Sequence, residues 1–595
     1  MEALLAILWL ALNLELACRM ARTLQARASF LHLATALGCC TLLWCLLVAG
    51  LSLAGQLRPA VIQVFLAPAL GLLVYRPALP GYVAELVRPW HAGFRLGIVS
   101  ALTLLIVAAT APNTHWDVHT YHYTMPSLYL RHGSLYHTEV GSYNGLVGTC
   151  HLVYTVAMGW GGEMSANLCG VLHLLLLGCS LAALTAEAAP LALLMLLGSP
   201  LCIVQSNGGL TDLPSAAYSM LLLAHFLQQR WAWSALWALV LVLAKLTGAL
   251  ALVSLWPLVW QHSRRLFMAS VALGVVGIPP LLWFSPLGDD WDWRYLLNGS
   301  ADALTRALLT ELPGWNLRRW QETLSPCILP GLIASLALAG PHRRIVVALG
   351  WACLLSGLLH LHSPRYTLSM AVWSLVPATI GWAALCKGGG GARLARSTLV
   401  IGLATSLMLS ASCLVRPLAA ALGWPDRQSY LDARIAPLEA YRWLASQPYQ
   451  RPLVLDSRVY LAPVPCRVLG AEQVAGWTLD DVIRHILEIN PDLILWNTHS
   501  DLTMGGLLGR AYWLNGEKEL LPGEWLAQIE PQRLQSIPYV LGSWNLDARG
   551  QVLYMATRFA PVVYHRNGML ATLCPREDLV RFLKDPGLRR RLRRR

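Results

Sequence analysis

Directly after an apolar run, the chain carries Trp116-Asp117-Val118-His119-Thr120-Tyr121-His122-Tyr123. One acid stands there among histidines and aromatics. A carboxylate at a membrane face, with hydrogen-bonding groups around it, can act as a general base toward a hydroxyl. The blander alternative is a solvated loop acid that caps the next helix, and spacing alone leaves both open. His115 and His119 are one helical turn apart, with His122 about a turn further on. Together with Asp117 they could hold zinc or manganese. The pair lacks the glutamate that accompanies the histidines of a zincin helix, and interfacial hydrogen bonding is the competing reading. No residue is assigned as a metal ligand, and a divalent cation (Mn or Mg) stays open as a cofactor.

The elements that must position these groups are membrane helices. Of the 595 residues 56% are hydrophobic and 13% charged, against about 25% charged in soluble proteins. The deficit is uneven, because long apolar runs fill the first two thirds. Such runs match a hydrocarbon core about 30 Å thick, and in lipid they must be helical to satisfy their own backbone. We expect about fourteen spans, near residues 3–17, 30–54, 60–75, 96–111, 165–184, 190–205, 213–227, 231–244, 246–260, 266–284 and 324–339, two between 345 and 386, and 397–415. Residues 145–160 are only moderately apolar and are expected to lie along the membrane surface. No small-residue cleavage site follows the first span, which therefore reads as an anchor.

Charge sets the orientation. Arg19, Arg22 and Arg27, then Arg76, Arg88 and Arg95, then Arg264 and Arg265, Arg343 and Arg344, and finally Lys387, Arg393 and Arg396 all fall on one side of this topology. Basic loops mark the cytoplasmic side. The first loop (112–144), Lys245, the loop 285–323 and everything after Arg416 are then expected outside, with the first loop solvated. The formal charge of +13 sits in these short clusters, so it reads as topology and excludes nucleic acid as a partner. The 14 cysteines lie mostly within spans and form no CxxC pair, which fits small core residues. Cys466 and Cys574 lie beyond the last span, and a disulfide between them is left open.

The tail has another rhythm. Pro452-Leu453-Val454-Leu455 reads as a buried strand, and Leu493-Ile494-Leu495-Trp496 as a second. Between them Thr478 caps an amphipathic helix, with Asp481 three residues on, and Asn490-Pro491 ends it. Strand, helix and strand imply a small α/β domain with a parallel pair. No glycine-rich phosphate loop joins them, so no nucleotide site is expected. Residues 589–595 are nearly pure arginine, a frayed end or a lipid-headgroup contact. The fold class is thus a polytopic α-helical membrane protein with a C-terminal extracytoplasmic α/β domain. The domain boundaries read as 1–95 for additional N-terminal helices, 96–416 for the membrane core and 417–595 for the tail.

Asp117, Tyr121-His122, Pro126, Tyr129-Leu130 and His132-Gly133 together resemble the first outer loop of GT-C glycosyltransferases. These multi-span enzymes take sugars from polyprenyl-phosphate carriers and include aminoarabinose transferases and protein O-mannosyltransferases. In the same order, Gly209-Leu210-Thr211-Asp212 is similar to their second outer-loop acid. Leu243-Ala244-Lys245-Leu246-Thr247-Gly248 is similar to their lysine-glycine turn. Trp293-Arg294-Tyr295 through Asn298-Gly299 loosely resembles a later outer loop, and Ser363-Pro364-Arg365-Tyr366 a Gln-Pro-Arg-Tyr turn. Two departures are visible: the first three spans lie outside the family's usual core, and a Gly-Asn-Pro stretch is replaced by Asn298-Gly299-Ser300.

The resemblance implies a bacterial inner-membrane, GT-C-like transferase with its site on the periplasmic or extracellular face. Its partners would be a polyprenyl-phosphate-linked sugar donor, a glycan, lipid or protein acceptor, and membrane lipids. Asp117 would be the base. Lys245, Arg294 and Arg365 would hold the phosphate, while Tyr121, His122, Asp212 and Tyr366 line the substrate. Blander readings exist for each: Asp212 as an N-cap, Lys245 as a snorkelling lysine, Arg365 as a surface residue beside a proline turn, and His122 as packing. The rival function is a lipid-linked glycan flippase or secondary transporter. Transporters place ionisable groups within spans, whereas here they fall in loops and turns.

Overall fold

The computed structural model describes residues 1–75, 77–115, 117–136, 148–245, 248, 251–252, 255, 325–336, 368–387, 391–432, 434–435, 437–455, 467–468, 478–497, 560, 562–566 and 569–587. The chain divides into two compact units. The first takes most of the chain up to Arg427, and the second takes His119–Thr124 and the residues from Gln428 onward.

The first unit is helical. Its helices are α1 (Glu2–Leu24), α2 (Phe30–Leu53), α3 (Pro59–Val74), α4 (Leu79–Val87), α5 (Ala92–Ala109), α6 (Thr124–His132), α7 (Thr149–Thr185), α8 (Ala189–Leu197), α9 (Pro200–Ser206), α10 (Asp212–Leu227), α11 (Trp231–Ala244), α12 (Ile328–Leu336), α13 (Leu375–Lys387) and α14 (Ala392–Ala421). Among the described residues five helical stretches are long and apolar enough to cross a membrane, six if the bent pair α3–α4 is one span. The chain is an integral membrane protein. The expected span at 266–284, and most of that at 246–260, lie outside the described residues.

On α14, Ser397 to Val415 is an apolar stretch about 28 Å long at 1.5 Å per residue, close to the hydrocarbon thickness. Val400, Ile401, Met408 and Val415 on it are exposed, as a helix lying against lipid requires. By contrast α7 is the hub, with α1, α2 and α10 packed against it. The described part of 145–160 therefore departs from the expected surface position: Thr149 onward is the buried first half of α7. Its hydropathy is moderate because it carries polar side chains that face protein, and two of them bond there. Thr155 donates to the His151 carbonyl at 2.8 Å, and the Tyr154 hydroxyl to the Leu210 carbonyl at 3.0 Å. The helix breaks at Gly161-Gly162, where Gly162 takes φ +75°, a conformation that favours glycine.

The break between α3 and α4 is stapled by α1. The Glu15 carboxylate, fully buried, accepts the Ala78 and Leu79 amides at 2.8–2.9 Å at the start of α4. Arg19 bonds Glu15 at 2.6 Å and donates to the Leu72 and Tyr75 carbonyls at 3.2 and 2.8 Å where α3 ends. One ion pair thus satisfies both helix ends that a break in an apolar layer would orphan. Breaking a fully buried pair from one side costs about 3–5 kcal/mol, and solvent at the 32%-exposed Arg19 side chain brings the cost here below that range. Glu15→Ala is expected to lower the thermal midpoint of the purified protein clearly, and more than Glu187→Ala, which removes an exposed pair with Lys387. Equal midpoints for the two would show that the staple contributes nothing.

The second unit holds α15 (Arg427–Asp432, beginning at the unit boundary), α16 (Pro437–Ala445), α17 (Leu479–Ile489), α18 (Arg576–Lys584) and five strands. These are β1 (Pro452–Leu455), β2 (Arg467–Val468), β3 (Leu493–Asn497), β4 (Val562–Arg566) and β5 (Met569–Leu573). The sheet order is β2-β1-β3-β5-β4. β1 pairs in parallel with β2 and β3, while β5 pairs antiparallel with β3 and β4. Thr478 accepts from the Asp481 amide and Asp481 from the Thr478 amide, a reciprocal cap. The Thr478 hydroxyl, and then its amide, donate to the Asp481 carboxylate and hold it below its ordinary pKa. Asn490 ends the helix in the left-handed conformation. Burial pushes the Cys574 thiol up to about 11, and Cys466 lies outside the described residues.

Candidate active site

Asp117 is reached along a segment without regular structure that is held from one side of α7. Glu163 accepts the Asn113 amide at 2.7 Å. Asn167, one turn on, donates to the Ala111 carbonyl at 2.9 Å and accepts from the Asn113 side chain at 3.3 Å. The Asn113 side-chain oxygen in turn accepts the His115 amide at 2.8 Å. Three consecutive odd positions are therefore pinned before Asp117. Asp117 itself is only 3% exposed, which corrects the expectation of a solvated loop acid. It stands just before the π-helical turn Val118–His122.

In the second unit, Tyr121 and His122 have ring centroids 4.1 Å apart, tilted by 54°. His122 is buried and Tyr121 half-buried. His119 is buried and His115 half-buried. Among the described residues no group of three His, Cys, Asp or Glu side chains is placed to hold a metal ion.

Asp212 and Lys245, named separately from the sequence, are partners: the Lys245 ammonium donates to the Asp212 carboxylate. Asp212 is the first residue of α10 and nearly buried, while Lys245, at the end of α11, keeps a fifth of its side chain exposed. The N-cap position is Thr211, so Asp212 is not the cap of α10 and its carboxylate answers a cation instead. The first turn of α7 lies against the same place. A Cβ on Gly148 would come within 2.4 Å of the Leu243 carbonyl oxygen, so the close approach needs glycine. The Gly148 amide donates to His151 Nδ1 at 3.1 Å, which leaves the proton of the neutral ring on Nε2. A Cβ on Gly208, four residues before Asp212, would lie 3.2 Å from the side-chain nitrogen of Asn113, four residues before Asp117, so the segments leading to the two acids touch.

Arg294, Arg365 and Tyr366 lie outside the described residues. The sequence reading missed Asn113, Glu163, Asn167, His151 and Arg427. A usable signal existed for Glu163, a lone acid in an otherwise apolar stretch, since ionisable residues inside membrane segments are functional candidates by default.

No family model and no curated protein matches this sequence. Solved structures do. The crystal structure of ArnT from Cupriavidus metallidurans bound to undecaprenyl phosphate is similar with TM-score 0.51 and 15% identity, over 81% of this chain and 98% of that one. The Archaeoglobus fulgidus oligosaccharyltransferase, in a complex with Zn and sulfate, gives TM-score 0.43 and 12% identity over 71% of this chain and 70% of that one. At 15% identity the likeness to ArnT shows a shared fold.

Proposed function

We propose that this chain is a membrane glycosyltransferase that moves a sugar from a polyprenyl-phosphate carrier to an acceptor hydroxyl on the periplasmic or extracellular face. The observation that carries the reading is a buried acid, Asp117, on a segment that touches the one leading to the Asp212–Lys245 pair, in a fold shared with a structure bound to undecaprenyl phosphate.

In the reaction, the Asp117 carboxylate takes the proton of the acceptor hydroxyl as its oxygen attacks the anomeric carbon. The bond from that carbon to the phosphate oxygen breaks, its electron pair leaves with the phosphate, and the configuration inverts. A phosphate leaving group needs little protonation, so the remaining demand is for cations. Lys245, Arg294 and Arg365 supply them.

Mass spectrometry of surface glycans and lipids, in cells with and without the gene, tests the reading. One sugar should be missing from one glycan, lipid or protein, with its polyprenyl-phosphate donor accumulating. The same loss with the lipid-linked intermediate trapped on the inner leaflet favours the flippase instead. Transfer by the purified protein is expected to persist in excess EDTA. Loss that manganese, magnesium or zinc restores would place an ion among His115, His119 and His122.

A further inference from the structure

We propose that Glu163 and Arg427 are positioning residues that set where Asp117 sits, an inference that rests on the transferase reading above. Glu163 stands just past the Gly161-Gly162 break, at the start of the second half of α7, and its side chain is 8% exposed. One carboxylate oxygen takes the Asn113 amide at 2.7 Å, and the other takes an Arg427 nitrogen at 2.9 Å. The same guanidinium reaches Glu2 at 3.4 Å. Arg427 is the last residue of the first unit. A single carboxylate therefore fastens the segment leading to Asp117 to the point where the chain leaves that unit.

Burying an acid is unfavourable unless its partners compensate. Here one partner is a backbone amide with no helix or strand to satisfy it, and that amide lies four residues before the base. Asn167 and the Asn113 side chain fix the neighbouring positions, 111 and 115. Only Trp116 then separates the last pinned residue from Asp117. The acid replaces what regular structure would otherwise provide, and Arg427 compensates its charge.

Hydrogen–deuterium exchange on the full chain in detergent tests this with Glu163→Gln and Arg427→Met. Glu163→Gln keeps volume and one acceptor. Arg427→Met changes a half-exposed side chain and so is the variant safer for folding. In both, exchange across 111–117 should quicken about tenfold or more, as the loss of a charge-assisted bond allows. Exchange in α10 and α11 should not change. Turnover is read as undecaprenyl phosphate released from undecaprenyl-phosphate-linked sugars. kcat should fall about tenfold with donor KM within about twofold, and Arg427→Lys should recover part of it. In an Asp117→Asn background, Glu163→Gln should cost nothing further. Unchanged exchange at 111–117, exchange that rises throughout the bundle, or losses that add to those of Asp117→Asn each overturn the proposal. A wild-type protein that transfers no sugar overturns the transferase reading instead, and the exchange data alone then decide whether Glu163 and Arg427 hold the loop.

Discussion

Asp117→Asn is expected to reduce glycosyl transfer by about two orders of magnitude or more, the usual contribution of a general base. The substitution keeps size and hydrogen-bonding capacity and removes only the ability to take a proton. Because Asp117 is buried, the variant is not automatically benign, and its melting temperature must be measured beside its activity. The anchors upstream are untouched: Glu163, Asn113 and Asn167 bond one another and the backbone, and none of those bonds uses Asp117. The fold should therefore hold, and under the proposed transferase function a polyprenyl-phosphate donor should bind the variant and the wild type alike. A drop in kcat with donor binding intact identifies the base. Near-full transfer by Asp117→Asn alongside a dead Asp212→Asn would move the base to Asp212 at the start of α10. Full activity in both removes the mechanism and brings the flippase reading forward.

What the sequence made legible follows the range of the interactions involved. Helix α11 coincides with the expected run 231–244 because hydropathy is a local property. The reciprocal cap of Thr478 and Asp481 was readable for the same reason, its parts being three residues apart. The burial of Thr149–Trp160 was not readable, because its inward polar side chains lower the hydropathy that signals a membrane core. Glu163 was missed because its partners lie 50 and 264 positions away. The Glu15 staple has the same character: its carboxylate bonds amides 63 and 64 residues on. Asp212 and Lys245 were both singled out, yet spacing gave no reason to pair residues 33 apart on different helices. Chemistry-bearing residue types can be found one at a time in a sequence, whereas their pairing is a property of the packed bundle.

That pairing makes the charge of Lys245 the second place where a large effect is expected, and it also creates an ambiguity that single substitutions cannot resolve. Lys245→Met leaves a nearly buried Asp212 carboxylate without its cation, and breaking such a pair from one side costs about 3–5 kcal/mol when both groups are buried. Lys245 is a fifth exposed, so solvent screening brings the expected cost below that range. Transfer would fall from misfolding alone, whatever Lys245 does. Asp212→Asn combined with Lys245→Met removes both charges and leaves a neutral pair of similar size, so stability should return close to wild type. Transfer should not return. If the ammonium stabilises the charge that develops on the departing phosphate, the stable double variant stays about a hundredfold down, comparable to loss of one preorganised electrostatic group, and binds undecaprenyl phosphate more weakly. The decisive comparison is between melting temperature and turnover in the double variant. Recovery of both would mean that Lys245 serves Asp212 and the helix ends alone, and the phosphate would then have to be held by Arg294 and Arg365.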